Sequence, residues 1–204
     1  MRPLFLCYIK GVMKMPKLTG ADYLLLMLYL DDKKPIKSAV RLTKMMFIFN
    51  KEIVPLLKKK GANIQEENLP DFQPYNYGPF SKDVYEQIEL FQNINFIEIK
   101  NLKAFEEMDE VDDWEETAFI DEIAEPEIEY ENRRDGKFMQ YKLTEMGAEY
   151  VLKEIVPHLT EEQEKILLEY KRRIIQTPII AILRYVYTKY PEMAQNSLIR
   201  NEVL

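Results

Sequence analysis

Residues 72–100 read FQPYNYGPFSKDVYEQIELFQNINFIEIK and lay out a turn, a helix and a strand in that order. Gly78-Pro79 forces the turn after a run of loosely alternating aromatics. Ser81 is a good N-cap for a helix that starts at Lys82, with Val84, Tyr85, Ile88 and Phe91 on its apolar side. Asn95 to Lys100 alternates through Phe96, Ile97, Glu98, Ile99 and Lys100, which suits a strand. Its partner lies beyond a turn at Arg133-Arg134-Asp135-Gly136, where Lys137 to Leu143 alternates in the same way.

Upstream, Thr19 or Gly20 opens a buried helix over Ala21–Leu30, stopped by Asp31-Asp32-Lys33-Lys34 and Pro35. Ser38 caps the next helix, whose core face is Leu42, Met45, Met46, Phe49 and Ile53. Pro55 kinks that helix or begins a new turn, and residues 60–71 form a polar loop. Downstream, Thr144 caps a helix running to about His158. Thr160-Glu-Glu-Gln163 is a capping box, and Thr177-Pro178 provides an N-cap and first-turn proline for a last helix ending at Pro191. Three helices followed by a two-stranded hairpin is the winged helix-turn-helix plan. The expected fold is therefore α+β, mostly α, with a two-stranded wing and additional C-terminal helices. The expected organisation is an N-terminal arm at 1–18, a winged-helix domain at 19–159 with an acidic insert at 104–131, and a C-terminal helical extension at 160–204.

Composition narrows the function classes. The chain has 204 residues, 47% of them apolar, which excludes a wholly disordered protein. The longest clean apolar run, Tyr23–Leu30, is far short of the roughly 20 residues a membrane span needs. One Cys and one His, His158, leave no intramolecular disulfide, no Cys-rich zinc site and few routes to a His-based active site. There is no phosphate loop or nucleophile elbow, and Asp109, Asp112 and Asp113 lack EF-hand spacing. The expectation is a non-enzyme with no catalytic residues, no cofactor and no metal. Met1–Ile9 faintly resembles a signal peptide, but Lys10 interrupts it and no small-x-small site follows, so a cytoplasmic location is expected. Met13 and Met15 are alternative starts, which would make residues 1–14 an artefact of gene calling; an ordered arm is the other reading.

Charge is segregated. The net charge is −7, yet Ala104–Glu131 holds fourteen acids and no Lys or Arg, and the rest is +7. The first sixty residues carry thirteen basic side chains against four acidic ones. Within the acidic insert, Trp114 and Phe119 are the anchors expected to dock, with a short helix expected around residues 112–123. A solvated loop is the other reading.

Four segments carry a family resemblance. Tyr77-Gly78-Pro79-Phe80-Ser81 resembles the Tyr-Gly-Pro motif of Panacea-type winged-helix proteins and related small prokaryotic proteins. Leu42-Thr43-Lys44-Met45-Met46-Phe47-Ile48, Tyr141–Gly147 and Leu183–Pro191 are similar to other segments found with it. Together they cover about residues 20–103 and 135–192. The resemblance implies a winged helix and, for many relatives, an antitoxin or adaptor role exercised through protein contacts. The acidic insert and the N-terminal arm depart from the pattern.

The candidate surfaces follow from these readings. Lys37, Arg41, Lys44, Lys51 and Lys58 recur at helical spacing as a basic stripe that would track phosphate, with Arg133 and Arg134 near the wing. The same stripe would hold the acidic insert of its own or a second chain, or stay solvated. Residues 82–92 occupy the recognition-helix position, with Lys82 and Gln87 as the DNA-contact candidates, although Asp83, Glu86 and Glu89 oppose phosphate. The candidate protein contacts are Trp114, Phe119, Tyr77 and Phe80. Ile179, Ile180, Leu183, Val186 and Tyr187 would form a homodimer face or close an intramolecular core. The expected function is a winged-helix DNA-binding protein in transcriptional regulation, its access to duplex DNA modulated by the acidic insert. The alternative is a protein-binding adaptor or antitoxin-like module.

Overall fold

A computed structural model describes residues 17–103 and 137–204. The expected helix at 112–123, the turn at 133–136, and Trp114, Phe119, Arg133 and Arg134 lie outside the described residues. What is described is a mostly helical α+β fold with small antiparallel sheets.

Helix α1 (Gly20–Lys33) starts at a capping box: the Thr19 hydroxyl accepts from the Asp22 amide, and the Asp22 carboxylate accepts from the Thr19 amide at 2.8 Å. Tyr23 to Leu28 are all buried, so α1 is apolar all round and runs through the middle of the molecule. It stops where the charged run begins, but in an unusual way. Asp31, Asp32 and Lys33 adopt φ of 56°, 54° and 59°, three consecutive left-handed residues without a glycine. Each costs about 1–2 kcal/mol relative to a right-handed residue, so the turn needs an external clamp.

The clamp comes from helix α6 (Glu161–Gln176). Lys171 is 0% exposed, and its ammonium donates to Leu30 O at 2.5 Å, Lys34 O at 2.8 Å and Leu28 O at 3.4 Å. Next to it Arg172 donates to Asp31 at 2.5 Å. A two-residue strand, β1 (Ile36–Lys37), follows this turn and was not legible from periodicity.

Helix α2 (Ala39–Ile48) is capped by the Ser38 side chain, which accepts from the Arg41 amide. It continues through a wide turn at Phe49–Ile53, where Val54 N–H reaches back five residues to Phe49 O, into helix α3 (Val54–Lys59). The wide turn absorbs Pro55, whose missing N–H would otherwise break the ladder. The aromatic segment then forms a hairpin, β2 (Gln73–Tyr75) and β3 (Gly78–Phe80), in which Gln73 faces Phe80 and Tyr75 faces Gly78. Ser81 caps helix α4 (Lys82–Asn93) by accepting from Val84 N–H, as expected.

Strands β4 (Ile97–Lys103) and β5 (Lys137–Leu143) pair antiparallel from Ile97 opposite Leu143 to Lys103 opposite Lys137. Strand β1 adds to the other edge of β5, placing Ile36 opposite Tyr141 and Lys37 opposite Gln140, so the sheet order is β1-β5-β4. Helix α5 (Glu145–Tyr150) is capped by Thr144, whose amide and hydroxyl also bond Phe96 O at 3.0 and 3.1 Å. Gly147 sits flush on the same carbonyl: a Cβ there would stand 2.2 Å from Phe96 O and 3.0 Å from Leu143 Cδ1. Gly147→Ala is therefore expected to cost about 2 kcal/mol, because backbone rather than a flexible side chain must yield. An unchanged urea midpoint would show that the joint between α5 and β4 is looser than this.

Helix α7 (Ile179–Lys189) and the short α8 (Arg200–Val203) complete the described chain. Thr177 does not cap α7, contrary to the sequence expectation. Its hydroxyl donates back to Arg173 O at 2.6 Å and closes α6 instead. The C-terminal helices are not peripheral. Leu167, Ile174, Leu183 and Val186 belong to the same buried cluster as Leu24 and Leu42. Ile179, Leu183, Val186 and Tyr187 are buried within the chain, so that face is not free for a second copy.

Candidate functional site

The expected basic stripe is not continuous: its two middle members, Arg41 and Lys44, are buried, while Lys37, Lys51 and Lys58 are exposed. Every residue of α2 is buried, because α7 and the hairpin cover the side that the charges mark as polar. Arg41 is 3% exposed and donates to Ile174 O at 2.7 Å and Thr177 O at 2.6 Å, closing the carbonyl end of α6. Lys44 is 4% exposed and donates to Pro79 O at 2.9 Å. Lys37, Lys51 and Lys58 remain exposed, with Lys58 paired to Glu66 at 2.5 Å and Lys51 lying over the Phe47 ring. Helical spacing placed Arg41 and Lys44 on one face of α2, but that face is internal.

Lys44 joins two of the segments quoted above. The turn at Tyr77-Gly78-Pro79 closes over its amine, and Gly78, at φ 84°, is pressed so closely on Tyr187 that a Cβ would meet Cε1 at 2.6 Å. The Tyr187 hydroxyl bonds Ser197 at 2.8 Å, and Leu198 N–H donates to Asn76 O at 2.8 Å. Tyr77 is buried, so it serves this joint and is not the surface contact expected of it. Phe80 is half-buried between Tyr75 and Tyr85, with ring centroids 5.1 and 5.3 Å away. The third segment arrives through Glu52. That carboxylate accepts from Tyr185 at 2.8 Å and Tyr190 at 2.9 Å, with Lys189 at 3.1 Å. Burial pushes the Glu52 carboxyl up, but these donors outweigh it and hold it below its ordinary range.

Burial pushes the Lys44 amine down to about 7. It has one acceptor among the described residues, against the three an ammonium needs. Burial also lowers Lys171, to about 8, but its three carbonyls match its three donors and keep it protonated at neutral pH.

Helix α4 turns Val84, Ile88 and Phe91 inward and leaves an outer stripe of Asp83, Gln87, Leu90 and Ile94. Leu90 is 55% exposed and Ile94 43%. The stripe borders a shallow groove whose other walls are the first turn of α1, at Thr19 and Ala21, and the segment carrying Glu67 and Leu69. Glu67 and Glu86 stand at its rims. Their ion pairs, Lys17–Glu67 at 3.8 Å and Lys82–Glu86 at 2.7 Å, are exposed and readily exchanged. The Gln87 side-chain oxygen is buried beside the groove without a hydrogen-bond partner among the described residues. Lys82 and Gln87, expected as DNA contacts, are thus one half of an exposed ion pair and a groove-lining amide.

Lys37 shares a face with lysines outside the expected stripe. Lys37 and Lys100 are both register partners of Gln140, one from each neighbouring strand, so Lys37, Gln140 and Lys100 form one row across the sheet. Lys142 lies two residues along the same strand and is exposed, opposite Glu98. Sequence reasoning missed this row because β1 was not recognised.

Among the described residues, no group of three or more His, Cys, Asp or Glu side chains is placed to hold a metal ion, and no helix is long and apolar enough to cross a membrane. Comparison of the chain with protein-family models, curated proteins and solved structures found no match.

Proposed function

We propose that this chain is a protein-binding module, adaptor-like or antitoxin-like, built on a winged helix and using the outer face of α4. The winged-helix reading is supported by the order α1, β1, α2, α4, β4, β5 and by the sheet order β1-β5-β4, with α4 in the recognition-helix position immediately before the wing. The observation that carries the function is what α4 offers there. Its charged residues are Lys82 against Asp83, Glu86 and Glu89, and its outer stripe ends in exposed Leu90 and Ile94. Acids in a phosphate-lined groove repel, whereas exposed aliphatic side chains beside a groove suit a protein contact. The complementary partner is a segment with an apolar anchor flanked by Lys or Arg.

A second reading, duplex-DNA binding in transcriptional regulation with access modulated by the acidic insert, is favoured by the lysine row of the sheet, Lys37 and Lys100 around Gln140. The two readings separate in one comparison. Leu90→Glu is expected to abolish recovery of a stoichiometric protein from native extract without lowering the melting temperature, since the side chain is exposed. Fluorescence anisotropy with duplex DNA is expected to show only weak, sequence-independent binding. If the chain instead binds duplex with a steep salt slope that falls in Lys37→Glu and Lys100→Glu, and Leu90→Glu changes nothing, the DNA reading replaces the protein one.

A further inference from the structure

The feature left unexplained by an α4 contact face is Lys44. A lysine 4% exposed and lacking a carboxylate partner among the described residues is costly to keep unless it is uncharged or has other work. Its one acceptor among the described residues, Pro79 O, belongs to a small hairpin that is separate from the main sheet. That hairpin is otherwise held by Leu198 N–H on Asn76 O, by Asn196 on Pro74 O at 3.3 Å, and by Tyr187 against Gly78. The strand ending at Phe80 leads directly into Ser81, the cap of α4.

We propose that Lys44 is a proton-controlled latch: as the uncharged amine it holds the hairpin Gln73–Phe80 closed through Pro79, and on gaining a proton it releases the hairpin and, through Ser81, the start of α4. The physical cause is donor counting. A neutral amine with one acceptor is tolerated in an apolar site, but an ammonium presents three donors and a charge. The cheapest relief is to let water in behind the turn.

Of the other ionisable groups on the packed elements, Glu192 is exposed to solvent, Arg184 on α7 donates to Val203 O at 2.8 Å, and others are engaged elsewhere. Arg41 on α2 is bound to the end of α6, and Tyr170 on α6 donates to Met45 O. Lys171 clamps the end of α1. Tyr187 on α7 bonds Ser197, and Glu52 is surrounded by Tyr185, Tyr190 and Lys189. Tyr77, on the turn itself, has its hydroxyl raised by burial and stays neutral across this range. The site lowers Lys44 to about 7, which places the latch in the physiological window. The proposal stands whether or not α4 binds a protein.

The test is a lysine-side-chain NMR titration of the full chain from about pH 5.5 to about pH 10, with amide exchange of Gln73 and Phe80 read in parallel and corrected for intrinsic rates. The Lys44 signal is assigned through its own backbone in the wild type, so the outcome does not depend on a variant folding. The expected result is a Lys44 midpoint near 7 and a loss of Gln73 and Phe80 protection of about tenfold below it, with no such loss in Lys44→Met. A Lys44 midpoint above about 9 would overturn the latch. So would a midpoint near 7 with hairpin exchange unchanged, or the same loss of protection in Lys44→Met.

Discussion

Lys171→Met is expected to destabilise the fold by about 1–3 kcal/mol at neutral pH, read as a lower urea midpoint, because the loss of three hydrogen bonds is partly offset by relief of the buried charge. The methionine fills much of the same volume, so the effect isolates the ammonium. Three carbonyls, from Leu28, Leu30 and Lys34, lose their donor at once. An orphaned buried acceptor costs about 1–3 kcal/mol. The left-handed turn at Asp31–Lys33 also loses what holds it, and a turn of that kind is intrinsically unfavourable. The neighbouring Arg172→Ala supplies the contrast. Its ion pair with Asp31 is half exposed on the arginine side, and its loss is expected to cost no more than about 1 kcal/mol. Equal effects for the two substitutions, or a loss below about 1 kcal/mol for Lys171→Met, would show that the turn does not depend on the buried clamp.

Lys44→Met is expected to change the sign of its effect with pH. Lys44 sits near 7 in the folded chain and near its ordinary value, about 10.4, when unfolded. Between these values the unfolded chain holds a proton that the folded chain lacks, so wild-type stability rises with pH across the window. Below about 7 both states are protonated and the penalty, about 5 kcal/mol, is complete. Methionine removes the penalty but leaves Pro79 O without its donor, a loss of about 1–3 kcal/mol. The variant should therefore be the more stable protein at pH 7 and the less stable one at pH 10, with the curves crossing near about pH 9. Lys171 contributes its own rise in both proteins and cancels in the difference. Burial raises Tyr187 to about 12, which leaves the window clear of that group. Urea denaturation at several pH values measures the difference directly. A variant less stable than wild type at every pH would mean that Lys44 is charged and satisfied in the folded chain.

Much of the architecture is local and was legible for that reason. The caps at Thr19, Ser38, Ser81, Thr144 and Thr160 depend on one side chain and an amide three residues away. The alternation in Ile97–Lys100 and Met139–Leu143 depends only on the period of a strand with one buried face. Thr177 shows the limit of such signals. The Thr-Pro pair marks a boundary between helices, but which helix the hydroxyl serves depends on the path the backbone takes.

The amino-acid sequence by itself determined the order of elements, the apolar character of α1 and the separation of an acidic stretch from a basic remainder. Only the tertiary structure decided which charges are surface. A lysine or arginine every three or four residues specifies a helical face but not what lies against it. For Arg41 and Lys44 that neighbour is the end of α6 and the turn at Pro79, more than 30 residues away in the chain. Conversely, Lys37 and Lys100 share a face only because two strands distant in sequence both pair with β5. Burial and strand register are long-range properties, so the distinction between a phosphate-binding stripe and a buried latch arises from packing.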